Sequence, residues 1–535
     1  MCGIFLIINY NDGDINPNDY IESLEKLRPR GPDSQRCLID GKCFIGFTRL
    51  AIMDLSKSAT QPFKIMKENK AIYSITNGEI YNYKNLRDMY NIKMQTECDC
   101  EVIAPLYEKI GFENMLKELD AEFATIIVDN LSNKVYAGRD RFGVRSLFYG
   151  YSTSKKIIGF ASEAKALHDI MEVILPIIPN MYYEIDLNDD FSDTLKKYEY
   201  YNVDNIKICE KVKNHEENIN DLLTSAVKKR IVSDRPIGFL LSGGLDSSLI
   251  VSIASTFIDI DKIVCFTIGI EGSPDVEAAK RVVEYLGIKN HHIVNFTIED
   301  GLNALEEVIK VTETYDTTTV RASTPQYLLA SYIKEKTDIR VVLSGEGSDE
   351  IYGGYRYFRD APSFHEFDKE RRRLITDLYM FDNLRTDRTV ASNGIEVRAP
   401  FLDFEHVNYL MSVNSELLMS SKSCIEKKLL RDSFKGYLPT DVLYRSKEAF
   451  SDAVSSKDIN WYKSVGNKAE SLITDDEFKT EEYEHNQPMT KEALYYRRIF
   501  DKIYPGRDKL IEYYWLPKFQ KEIVHDPSAT ILDCY

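Results

Sequence analysis

Residues 240–248 read Leu240-Leu241-Ser242-Gly243-Gly244-Leu245-Asp246-Ser247-Ser248 and run on into LIVSIAS at 249–255. The apolar stretch PIGFLL at 236–241 ends where the glycines begin, and an apolar helix-forming stretch starts directly after them. That order is strand, tight loop, helix. Glycines let the backbone approach an anion closely. The first amides of a helix lack intrahelical partners, and the helix dipole favours negative charge there. Ser242, Ser247 and Ser248 add hydroxyl donors, and a bound Mg²⁺ gives Asp246 a reason to stand beside phosphates. An ordinary capped helix after a glycine turn explains a lone Gly-Gly equally well. It explains less well two glycines, hydroxyl residues and an acid packed between a strand and a helix. No G-x-x-x-x-G-K-[ST] occurs, so this is not the kinase or GTPase type of phosphate loop.

A second loop of the same kind follows in VVLSGEGSDEIYGGY at 341–355, where a short apolar strand runs into Ser344-Gly345-Glu346-Gly347-Ser348-Asp349-Glu350. Further apolar stretches lie at 262–269, 291–296 and 339–343, separated by helical patterns such as DVEAAKRVVEYLG at 275–287. Buried strands alternating with amphipathic helices predict a doubly wound α/β unit on a parallel sheet, followed by a largely helical part reaching about 520. Ligands of such sheets bind outside the carboxyl ends of the strands. Both loops and Ile268, which ends its own strand, are therefore candidates for one nucleotide site.

Upstream, residues 1 to about 190 carry FLIINY, CFIGFTRLAIM, YSITNGEIYN, FATIIVDN, KVYAGRD, SLFYGY and KIIGFAS, with helical stretches at 17–28 and 99–112. This predicts a layered α+β domain rich in antiparallel sheet. Residues 191–212 are polar and poorly patterned and read as a linker. The expected division is 2–190, linker 191–212, and 213–535.

Composition narrows the function classes. A length of 535 residues with 43% hydrophobic content implies more than one globular domain. A net charge of −17 disfavours nucleic-acid binding. The one basic cluster, Lys369 to Arg373, reads as a solvated face. Nine scattered cysteines show no disulfide framework, and Cys98 and Cys100 have no second pair at zinc spacing, so reduced thiols are expected. No stretch approaches the roughly 20 apolar residues of a membrane helix. The run Ile4 to Ile8 is too short for a signal peptide, so a cytoplasmic location is expected.

SGGLDSS is similar to the pyrophosphate loop of ATP pyrophosphatases, which form acyl-adenylates. Joined to MCGI at residues 1–4, it resembles the glutamine-hydrolysing asparagine synthetases. The resemblance runs nearly end to end. It takes in RGPD (30–33), TRLAIMD (48–54), NGEIYNY (77–83), GRDRFGVRSLFY (138–149) and SPD (273–275). It continues through ETYDTTTVRASTP (313–325), SGEGSDE (344–350), GIEVRAPFLD (394–403), YRSKEAFSD (444–452) and DPSA (526–529). The resemblance implies an N-terminal-nucleophile (αββα) amidotransferase domain in which Met1 is removed. Cys2 then carries both the attacking thiol and an α-amine whose pKa near 8 suits a general base.

By the same resemblance, Arg49 grips the glutamine α-carboxylate, and Asn77 with Gly78 forms the oxyanion hole. Glu79 and Asp99 bind the α-amine, and Leu50 and Ile52 complete the glutamine pocket. Taken alone, Asn77-Gly78 also fits a hairpin turn, and Asp99 also fits a cap for a helix beginning at Cys100. In the second domain Leu241, Ser242, Gly243, Gly244, Asp246, Ser247, Ser248, Ile268, Ser344 and Gly345 match the ATP shell. Asp246 and Asp349 match the Mg²⁺ ligands, and Glu346 and Lys447 the reacting centre. Arg321 and nearby hydroxyls are candidates for the acceptor carboxylate.

The implied reaction makes asparagine from aspartate, ATP and glutamine through β-aspartyl-AMP, with ammonia led internally between two sites and GIEVRAPFLD near its passage. The expected partners are these small molecules, with neither nucleic acid nor membrane, and the family suggests a homodimer. The chain departs from the family pattern at Thr48, at Asn180-Met181 and at Asn393. Two rivals are an enzyme adenylating another carboxylate, as the β-lactam synthetases do, and a nucleotide- and glutamine-binding sensor. Retention of Cys2, Asp246 and Asp349 speaks against both.

Overall fold

The computed structural model describes residues 1–11, 15–192, 194–209, 213–421, 424–446, 455 and 460–519. The chain divides into two compact units. One comprises Met1–Asn202, Ser233–Arg235 and Ala391–Glu396; the other comprises Val203–Val232, Pro236–Val390 and Val397–Tyr535.

The first unit holds strands β1 (Gly3–Asn9), β2 (Ser34–Asp40), β3 (Cys43–Arg49), β4 (Phe63–Lys67), β5 (Lys70–Ile80) and β6 (Ala121–Asp129), followed by β7 (Lys134–Arg139), β8 (Phe148–Ser152), β9 (Ile157–Ala161), β10 (Val173–Pro176), β11 (Met181–Asp186) and β12 (Leu195–Glu199). They form two six-stranded sheets, β10-β8-β9-β1-β3-β2 and β12-β11-β7-β6-β5-β4, antiparallel throughout. One core, with Ile4, Leu6, Ile8, Phe47, Ile75 and Ile126, lies between the sheets. A second, with Leu86, Ile103, Leu106, Met115 and Phe123, lies under the helices on the outer face. The alternate residues of β1 face outward, where Phe5 meets Phe44 and Tyr20 packs on Phe44. A strand buried on both faces reads as a continuous apolar run, which is why GIFLII shows no alternation.

The linker expected at 191–212 is corrected in part: Leu195–Glu199 pairs with β11 as the outermost strand of its sheet. Its sequence, LKKYE, is mostly exposed. Polar, lysine-rich sequence suits a sheet edge, where charge blocks further pairing, and the same polarity disguised the strand as a linker.

The second unit is built on β13 (Ile237–Leu240), β14 (Val264–Gly269), β15 (Asn290–Asn295), β16 (Val341–Leu343) and β17 (Glu396–Arg398), in the order β15-β14-β13-β16-β17. The pairs β13–β14, β13–β16 and β14–β15 are parallel. The helix Leu245–Ala254 follows β13, Pro274–Leu286 follows β14, and Ile298–Thr312 and Thr317–Lys336 separate β15 from β16. The basic cluster is not a solvated face. Arg371 is fully buried and donates to the carbonyls of Ile351 and Leu410, while Arg372 and Arg373 pair with Asp368 and Glu370. Among the described residues no helix is long and apolar enough to cross a membrane.

Candidate active sites

In the first unit the chemistry gathers where β1, β3 and β5 begin or end. The Cys2 thiol donates to the Leu50 carbonyl at 3.6 Å, just past the end of β3. Burial pushes this thiol up to about 11, against the lowering pull of the neighbouring α-amine, the Leu50 contact and the Arg49 charge. Met1 is fully buried; its sulfur accepts from Arg145 at 3.0 Å and Arg30 at 3.7 Å, and burial pushes its amine down to about 6. Both arginines are held in turn by buried carboxylates, Arg30 by Glu163 and Arg145 by Glu122.

The loop after β3 is tied down from several sides. Asp33, of the RGPD motif, accepts the Ala51 amide at 2.8 Å. The Arg49 guanidinium, 5% exposed, donates to the carbonyls of Met53, Asp54 and Ser56 and to the Thr60 hydroxyl, wrapping the turn that carries Leu50 and Ile52. Thr48, a departure from the family pattern, donates to the Leu27 carbonyl at 3.1 Å and packs against Gly3.

Asn77 and Gly78 do not form a hairpin turn. Both lie inside β5, paired with Ala124 and Phe123 of β6. Gly78 has φ 149°, and a Cβ there would come within 2.0 Å of the Glu122 carbonyl oxygen, so only glycine fits. The Asn77 side chain is fully buried, and neither its amide nitrogen nor its oxygen has a hydrogen-bond partner. A buried amide left unmade costs free energy, so this group is reserved for a ligand or is a local strain. Asp99 does not cap a helix. It lies within the 3₁₀ turn Asp99–Val102 and accepts the Ile80 amide at 2.6 Å. Cys98 and Cys100 both donate to it, so this buried Cys-Asp-Cys trio already uses its hydrogen bonds. Glu79 is buried beside Gly78.

In the second unit a cavity of about 260 Å³ opens at the carboxyl ends of β13, β14 and β16. Leu241, Ser242, Gly244, Asp246, Ser247, Ile268, Ser344, Gly345, Glu346 and Asp349 line it. Gly243 and Ser248 do not. Gly243, at φ 77°, lies against the helix Pro274–Leu286, where a Cβ would be 2.5 Å from Ala279 N and Asp275 O; Ser248 is fully buried inside its own helix. The loop is shaped by its own hydroxyls: Ser247 Oγ accepts the Ser242 amide at 3.2 Å, and Ser242 Oγ accepts the Gly244 amide at 3.3 Å.

The second loop closes on the first. A Cβ on Gly345 would be 2.8 Å from Ser247 N, so the two loops can approach this closely because Gly345 has no side chain. Asp246 and Asp349 reach the same ammonium, that of Lys427, at 2.7 Å each. Two hard carboxylates converging on one cation beside this glycine loop fit a Mg²⁺ ion.

Sequence reasoning missed several residues of the cavity wall. Arg385 donates to Glu346 at 2.8 Å, to Asp382 and to Gln326. Tyr355 donates to Glu350 at 2.5 Å, and burial together with Asp382 and Asp349 pushes Glu350 up to about 8. Arg445 pairs with Asp275 at 2.7 Å. Asp275 stands in the SPD motif and Arg445 two positions before Lys447, so motif proximity was their available signal. Lys427 and Arg385 lie in no motif. Arg321 is withdrawn from the cavity: it is 2% exposed and bonded to Glu492 at 2.7 and 2.6 Å. Lys447 and DPSA lie outside the described residues.

Family comparison gives each unit its class. A glutamine amidotransferase domain matches residues 1–207, and the asparagine synthase family matches residues 218–371 and 360–523. The chain is 54% identical to a probable glutamine-hydrolysing asparagine synthetase of Acanthamoeba polyphaga mimivirus, over 99% of this chain and all of the relative. It is 39% identical to the glutamine-hydrolysing asparagine synthetase of Cricetulus griseus and 38% to that of Homo sapiens, each over 100% of this chain and 99% of the relative. The chain belongs to the glutamine-hydrolysing asparagine synthetase family.

Proposed function

We propose that this protein makes L-asparagine from L-aspartate, ATP and L-glutamine, releasing AMP, pyrophosphate and glutamate. The observation that carries this is the presence, in one chain similar to such synthetases over almost its whole length, of both the Cys2 unit and the cavity holding Asp246 and Asp349. In the first unit, removal of Met1 frees the Cys2 amine. That amine takes the thiol proton as sulfur bonds to the glutamine amide carbon, and the carbonyl oxygen gathers negative charge. The unpartnered Asn77 amide and the Gly78 N–H are the donors for that oxygen. Return of the proton to nitrogen breaks the C–N bond and releases ammonia, and water then hydrolyses the thioester to glutamate.

In the second unit the aspartate β-carboxylate attacks the α-phosphorus of ATP, and pyrophosphate leaves. The loop amides, Ser242 and Ser247 hold the phosphates. Mg²⁺, held by Asp246 and Asp349, supplies charge neutralisation there when bound. Ammonia then displaces AMP from the aspartyl carbonyl carbon. Glu346, oriented by Arg385, accepts a proton from the attacking nitrogen, and Lys447 neutralises the leaving pyrophosphate.

We further propose a reducing, cytoplasmic location, supported by described cysteines that are all free, and a homodimer, supported by the family alone. Incubation with ATP, Mg²⁺, aspartate and either glutamine or ammonium tests the reaction. AMP with asparagine is expected from both nitrogen sources; ADP or no turnover refutes it, and AMP with a different amide identifies another acceptor.

A further inference from the structure

Lys427 lies between the two aspartates. Its Nζ is 2.8 and 2.7 Å from the Asp246 carboxylate oxygens and 2.7 Å from Asp349 Oδ1. The lysine side chain is 2% exposed and the aspartates 13% and 11%, so the ammonium reaches them from the protein side. The approach is built into the backbone. Lys427 precedes the helix Lys428–Ser433 in a left-handed conformation, φ 56° and ψ 30°, which a non-glycine residue adopts at a cost. Its stem passes Gly354 so closely that a Cβ there would be 2.1 Å from Cε and 2.2 Å from Asp349 Oδ1. Other charges nearby have their own partners: Glu426 pairs with Arg359 and Arg431, and Arg445 with Asp275.

Two carboxylates drawn to one site repel each other unless a counter-charge stands between them. The ammonium supplies it, and its N–H groups point where a divalent cation would seek oxygen. An ammonium and a divalent cation on the same oxygens repel each other. Lysine is suited to leave, because its charge sits on a flexible stem with freely rotating donors and binds phosphate as a point charge.

We propose that Lys427 is a positioning residue that competes with the divalent cation. It holds the Asp246–Asp349 pair aligned in the nucleotide-free protein. It cedes the pair to the metal only when polyphosphate oxygens offer its ammonium new acceptors. The proposal rests on the metal role of Asp246 and Asp349 given above. It makes metal and nucleotide binding cooperative, and the coupling is reciprocal.

The test measures Mn²⁺ binding to the full-length protein, with and without α,β-methylene-ATP. Water-proton relaxation separates protein-bound Mn²⁺ from Mn²⁺ on free nucleotide. The wild type is expected to bind Mn²⁺ at least tenfold more tightly with the nucleotide. Lys427→Met is expected to gain at least tenfold in nucleotide-free Mn²⁺ affinity and to lose most of the nucleotide's enhancement. A purely structural lysine would weaken metal binding when removed, not tighten it. Equal Mn²⁺ affinity of the wild type with and without nucleotide overturns the proposal whether or not the variant folds. A folded Lys427→Met with wild-type nucleotide-free affinity overturns it also. Failure of the wild type to bind Mn²⁺ even with nucleotide overturns the metal role of the aspartates, and this proposal with it.

Discussion

The Ser348 hydroxyl donates to Asp246 Oδ1 at 2.8 Å, across 102 residues of sequence. Each residue stands in the first turn of the helix that follows its strand, Asp246 after β13 and Ser348 after β16. Two neighbouring parallel strands thus aim two helix starts at one point. Asp246→Asn keeps the shape and removes the charge. It is expected to lower aspartate-dependent pyrophosphate release by at least about 100-fold, while glutamine hydrolysis persists. Unchanged pyrophosphate release would refute a metal role for Asp246.

Cys2→Ala should abolish glutamine-dependent synthesis and leave ammonia-dependent synthesis, because only the first unit needs a thiol. A chain that retains Met1 should behave alike. The α-amine then belongs to Met1, whose sulfur accepts from the buried Arg30 and Arg145, and burial holds the Cys2 thiol at about 11. Blocking the aminopeptidase during expression, checking the terminus by mass spectrometry and assaying both nitrogen sources decides this. Full glutamine use by Met1-bearing protein would sink the role given to the Cys2 amine.

Asn77→Ala removes a fully buried side chain whose polar atoms have no partners in the free protein. Glutaminase kcat should fall about 10²–10³-fold. The thermal midpoint should hold or rise, because an unsatisfied buried amide is lost with it. A large drop in the midpoint with little loss of kcat would make Asn77 a structural residue.

Gly78→Ala should do more damage than its single methyl suggests. The new Cβ would lie 2.0 Å from one backbone oxygen and 2.6 Å from the Phe123 Cα, so β5 and β6 would have to part. Overpacking of this kind costs about 3 kcal/mol. Denaturant unfolding should show that loss; a change under about 1 kcal/mol would mean that the two strands yield easily.

His406 is buried between the Tyr352 hydroxyl at 3.0 Å and the Phe401 carbonyl at 3.0 Å, and burial lowers it from 6.5 to about 4. The folded protein therefore binds fewer protons than the unfolded chain between those values. Its neutral state stabilises the fold above about 6.5, and that stability is lost as pH falls toward about 4, on the order of 3 kcal/mol. His406→Gln should flatten the decline over this window. Parallel unfolding curves for the two proteins from pH 7 to 4 would remove His406 from the account of acid sensitivity.

Local order was legible in the chain wherever one segment carries both its structure and its chemistry. The strand–glycine–helix order of 236–255 and its repeat at 341–352 specify two loops that line one cavity, because periodicity and glycine placement are local properties. Cys2 next to an apolar strand was equally visible. What depends on partners distant in sequence was decided only by tertiary structure. Leu195–Glu199 is a strand because β11 offers it an edge. Asn77-Gly78 is extended rather than turned because β6 pairs with it. Arg321 lies in a matched motif and Arg385 in none. Only folding sends the first to Glu492 and the second to Glu346 at the cavity wall. Lys427 stands in no recognisable motif, yet it meets two aspartates that lie 181 and 78 positions away, since 427 − 246 = 181 and 427 − 349 = 78. Electrostatic pairing acts through space at a few ångströms, and a linear sequence carries no record of which charges will share that distance.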